Sequence, residues 1–105
     1  MTTTSTFQID RLASAEGPVV LRLRGDLDYA TAPRLREYLA QLEGTRLGLV
    51  IELRWLRMLD SSGLAVLLQA RTAAERRGGA LGIRGAQGIV RRVLERTGTL
   101  TILSG

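Results

Sequence analysis

The sequence predicts an α/β layer fold with partly parallel strand pairing. Short β-rich runs at 19–24, 47–53 and 80–84 alternate with segments whose apolar residues recur at helical spacing. Start and stop signals bound each helical segment. Beyond a Thr/Ser-rich start, no repeat, linker or low-complexity tract breaks the 105 residues, which suits one domain. Parallel neighbours are then joined by right-handed crossovers.

Residues 1–6, Met-Thr-Thr-Thr-Ser-Thr, read as a flexible N-terminus, and 7–105 as the folded domain. Residues 7–10 read as a short edge strand, and Glu16-Gly17-Pro18 as a turn. In 19–24, Leu21 and Leu23 share one face and Arg22 and Arg24 the other, the pattern of a half-buried strand. "GDLDYAT", 25–31, reads as a polar loop. Thr31 is placed to cap a helix, with Pro33 in the first turn, where a missing N–H costs little. Leu35, Tyr38, Leu39 and Leu42 fall on one helical face, and Gly44 ends it. The apolar run 47–53 reads as a central strand.

Leu64, Leu67, Leu68 and Arg71 are spaced for a second helix ending at Gly78-Gly79. A third strand follows at 80–84, then a Gly-rich turn at 85–88. Ile89, Val90, Val93 and Leu94 make a third helix closed by Gly98. Residues 100–103 read as a last short strand. Trp55, in the segment joining strand to second helix, is expected to anchor the core; exposed, it would be a contact hot spot.

Composition narrows the chemistry. There is no Cys, His, Lys or Asn, and all 15 basic residues are Arg. The chain therefore lacks the common general bases near neutral pH, a thiol nucleophile and a Schiff-base amine. A zinc site would need His or Cys, and the sequence calls for no metal and no cofactor. The net charge of +5 comes from arginines interspersed with ten acids, without a basic arm. Four aromatics leave little for base stacking, so no nucleic-acid partner is expected. No run approaches the roughly 18 apolar residues of a membrane span, and the N-terminus lacks the features of a signal peptide. A cytoplasmic protein without a membrane partner is expected.

One constellation stands out. In "MLDSSGLAVLLQA", 58–70, an acid, two hydroxyls and a glycine sit between an apolar run and an amphipathic helix. Asp60 is a good N-cap, a stabilisation of about 1 kcal/mol. A helix cap alone would explain it; so would a serine presented for modification. Loops 25–31 and 60–63 both follow strands, at the sheet edge where such folds gather function, and both carry acids. "GIRGAQG", 82–88, fits a turn better than a phosphate cradle, having neither GxGxxG nor Walker spacing.

"LRGDLDYATAPRL" (23–35), "DSSGLAVLLQA" (60–70) and "VRRVLERTG" (90–98), in this order, resemble the STAS-domain family, and within it the stand-alone anti-sigma factor antagonists of bacteria. The resemblance covers nearly the whole chain. It implies a single-domain small mixed sheet of four to five strands with helices packed mainly on one face. It implies no enzymatic activity. Its partners would be an anti-sigma factor that is also a serine/threonine kinase, and a serine phosphatase; it leaves a homodimer open. It places phosphorylation on Ser61, the serine directly after the motif's aspartate, with Ser62, about 100° around the helix, as the alternative. Asp28 matches the family's loop aspartate. Asp26, Asp28, Asp60, Ser61, Ser62 and Gly63 are the expected partner surface. A STAS scaffold in a stressosome or a lipid-transport assembly is the alternative function.

Overall fold

A computed structural model describes residues 7–12, 17–42 and 48–104. The expectations for residues 1–6, Glu16, Gly44 and the start of the run at 47 lie outside these residues. The elements are β1 (Gln8–Leu12), β2 (Val19–Leu27), α1 (Ala32–Gln41), β3 (Leu49–Leu59), α2 (Ser61–Arg76), β4 (Leu81–Arg84), α3 (Gly88–Arg96) and α4 (Thr99–Ser104). The four strands form one mixed sheet in the order β1-β2-β3-β4. β1 pairs antiparallel to β2; β2, β3 and β4 are parallel.

The topology explains the layering. β2-α1-β3 and β3-α2-β4 step in one direction across the sheet, and right-handed crossovers then put α1 and α2 on one face. Leu23 and Leu27 of β2 and Ile51 and Leu53 of β3 share a buried cluster with residues from all four helices, including Leu35, Leu67, Leu94 and Leu103. The other face carries a row of alternating charge in register: Asp10 opposite Arg22, Arg22 opposite Glu52, Glu52 opposite Arg84. Arg84 pairs with Glu52 at 2.7 Å, and Arg22 and Arg24 reach Asp10 at 3.7 and 3.2 Å. Each such cross-strand pair contributes about 0.2–1 kcal/mol and keeps this face wettable.

Four expectations are corrected. β2 continues through Gly25 and Asp26 to Leu27, so the polar loop starts only at Asp28. β3 continues through Arg54–Met58 to Leu59, so this segment is strand, not connector. Two irregularities in register make this possible: Arg22 to Leu27 spans five steps while the opposing Glu52 to Leu59 spans seven. Ile51 and Leu53 keep the period of two, but beyond them the buried residues of β3 are Leu56 and Leu59, so from Leu53 the spacing is three, and Trp55 turns outward at 52% exposure instead of anchoring the core. Finally, residues 100–103 are helical, within α4. The Thr99 hydroxyl bonds Leu94 O at 3.2 Å and shares a 2.7 Å bond with the Thr97 hydroxyl, folding the chain back over α3, and Leu103 enters the core. Among the described residues, no helix is long and apolar enough to cross a membrane.

Candidate functional site

The site forms where two adjacent parallel strands end. Asp26 pairs with Met58 and Leu27 with Leu59, so the loop after β2 and the start of α2 emerge side by side. Asp60 joins them. Its Oδ1 accepts the Gly63 N–H at 3.0 Å, capping α2, and its Oδ2 accepts the Tyr29 N–H at 3.0 Å from the facing loop. Its own N–H donates to Leu27 O at 3.2 Å. One carboxylate thus fixes both the helix start and the neighbouring loop, more than the single cap read from sequence.

The facing loop is held internally. Asp28 Oδ1 accepts the N–H groups of Ala30 at 3.0 Å and Thr31 at 3.1 Å. The buried Thr31 hydroxyl accepts the Asp28 N–H at 2.9 Å and donates to Asp26 O at 2.7 Å. Thr31 occupies the N-cap position of α1, but its side chain makes no capping bond there, contrary to expectation; it ties the loop to the end of β2 instead. The Ala32 N–H is satisfied by Asp28 O at 2.7 Å. Pro33 sits in the first turn as expected.

Gly63 shows why α2 starts where it does. A Cβ there would lie 2.6 Å from Leu27 Cγ, 2.8 Å from Leu27 O and 2.9 Å from Leu59 Cδ1. Only glycine lets the first turn of α2 rest on the ends of β2 and β3. Gly63 is buried, so it positions the surface and presents no side chain to a partner.

Ser61 and Ser62 differ in access. Ser61, the first residue of α2, is exposed; Ser62 is half-buried. Among the described residues, neither hydroxyl has a hydrogen-bond partner. Asp26 is half-buried at the end of β2 and pairs with Arg57 at 3.6 Å. Asp28, Asp60, Ser61 and Ser62 are brought together at one rim; Asp26 and Gly63 support it from beneath. Sequence reasoning passed over Tyr29, whose ring is 82% exposed on a loop pinned by Asp60 and Asp28. An aromatic inside a polar loop, between the two aspartates, was its signal. Chemically, the rim offers an accessible, unengaged hydroxyl at a helix N-terminus, where added negative charge is favoured.

This two-layer domain with its serine at the start of α2 belongs to the STAS-domain family, whose pattern it matches over residues 11–104. The chain is 29% identical over 89 residues to an anti-sigma F factor antagonist of Paenibacillus polymyxa, covering 83% of this chain and 76% of that one. It superposes on the structure of the anti-sigma factor antagonist SpoIIAA in its unphosphorylated form with a TM-score of 0.75, at 23% identity, over 91% of this chain and 84% of that one. A sulfate transporter family protein from Wolinella succinogenes has the same fold, with a TM-score of 0.69 at 24% identity over 81% of this chain and 70% of that one.

Proposed function

We propose that this chain is a cytoplasmic anti-sigma factor antagonist, whose unmodified form binds an anti-sigma factor kinase and whose phosphorylation on Ser61 ends that binding. The observation that carries the reading is Ser61 itself, an exposed hydroxyl with no hydrogen-bond partner among the described residues, on the helix start that Asp60 fixes beside the Asp28–Thr31 loop. The likeness to an antagonist of 29% identity supports it. Ser62 is the poorer acceptor, being half-buried.

The mechanism follows from charge. The kinase transfers the γ-phosphoryl group of ATP to Ser61 Oγ; the Oγ–phosphorus bond forms, the bond to ADP breaks, and the hydroxyl proton is released. About 1.5–2 negative charges then stand at the helix N-terminus. The fold tolerates them, because Ser61 gives up no internal bond and the helix end favours anions. A partner surface that fits a neutral hydroxyl at the start of α2 does not, since the new charge is desolvated and repelled on contact. A serine phosphatase restores the binding form. No enzymatic role is assigned: the chain has no histidine to activate Ser61.

The test is titration calorimetry against the kinase-type anti-sigma factor of the same host. Unmodified protein and Ser61→Ala should bind alike, and Ser61→Asp should lose at least about tenfold in affinity, 1.4 kcal/mol. Equal binding by all three would defeat the proposal.

A further inference from the structure

The far end of the α1–α2 pair holds a second feature, unrelated to the serine. The carboxyl halves of the two helices and the start of β3 line a half-open cavity of about 210 Å³. Its walls are apolar: Leu39 from α1, Leu49 from β3, and Val66, Ala70, Ala73 and Ala74 from α2. The alanines leave the space, because the helix turns its shortest side chains toward its neighbour there. Close-packed interiors hold few voids larger than a water molecule. An apolar cavity of about 150 Å³ stays dry and is large enough for benzene. The present one is larger and open to solvent, with Arg36 and Arg77 among its lining. Arg36 is exposed and has no ion-pair or hydrogen-bond partner among the described residues.

We propose that this cavity is a binding site for a small amphipathic carboxylate, with its alkyl tail among the alanines of α2 and its head on the Arg36 guanidinium. Gln69 also lines the cavity but is exposed, so among the described residues the walls supply no buried polar group that would need a polar tail. The exposed Arg36 guanidinium in the lining disfavours a cationic head and favours an anionic one. A medium-length straight chain suits the volume better than a fused ring system, since ligand pockets for drug-sized molecules run from about 300 Å³ upward.

Octanoate is the probe, kept below its micellar concentration and compared with octanol by amide NMR shifts and thermal denaturation. Saturable binding of one octanoate per chain is expected, with shifts centred on Leu39, Ala70 and Ala74 and a raised melting temperature. Ala73→Leu, which fills the cavity without disturbing the helix, should abolish binding. Arg36→Gln, a surface change that leaves the fold intact, should weaken octanoate about three- to fivefold and leave octanol unchanged. Octanol binding as tightly as octanoate would overturn the carboxylate assignment. Absence of saturation, shifts elsewhere, or undiminished binding by Ala73→Leu would overturn the site.

Discussion

The two ends of the α1–α2 pair are built on opposite principles. At the amino ends, Asp60, Asp28 and Thr31 tie loop, helix start and strand ends together with short hydrogen bonds, and Gly63 closes the last gap. At the carboxyl ends, a largely apolar cavity lies between the helices, with Arg36, Gln69 and Arg77 among its lining. The first end holds a hydroxyl at a fixed place; the second keeps room. The same two helices thus carry one region where any change of shape is costly and one where added volume is welcome.

This contrast orders the expected effects of substitution. Gly63→Val should be the most damaging, because its side chain collides with backbone as well as side chains of β2 and β3. About 3 kcal/mol of stability should be lost in a urea titration; a loss under 1 kcal/mol would mean that α2 does not rest on Leu27 as described. Thr31→Val keeps the shape but leaves the Asp28 N–H and Asp26 O without a partner, at a cost of about 1–3 kcal/mol. Asp60→Ala removes one cap and one loop bond, about 1–2 kcal/mol. Asp60→Asn, which keeps an acceptor oxygen, should recover part of this. At the other end the sign reverses. Ala73→Leu should leave stability unchanged or raise it by about 0.5–1 kcal/mol by filling the cavity. Destabilisation there would show that the space is already filled and remove the contrast.

Much of the fold was legible because its helices obey simple rules. The stripes of α1, α2 and α3 announced their faces, apart from Ile89, which is exposed; the glycines after α2 and α3 announced their ends; and the alternation of Leu21 and Leu23 with Arg22 and Arg24 announced β2. β3 was half-hidden because its bulges change the burial period from two to three, a pattern that no strand rule anticipates. α4 was misread because Thr99–Ser104 is rich in β-branched residues; two threonine hydroxyls and the burial of Leu103 outweigh that preference. Of the candidate site, the capping aspartate and the nearness of the two loops could be inferred. The second bond from Asp60 to Tyr29 could not, because it depends on the register between β2 and β3. The cavity was equally invisible, since alanines at helical spacing look the same whether a neighbour fills the space or leaves it.

The intact mass of the protein purified from its native host, beside Ser61→Ala and Ser62→Ala, tests the central claim most directly. A single added phosphoryl group that disappears only in Ser61→Ala is the predicted result. A phosphoryl group that persists in Ser61→Ala, or none under growth and stress conditions, would contradict the account and leave Asp60 and its serines as a helix cap.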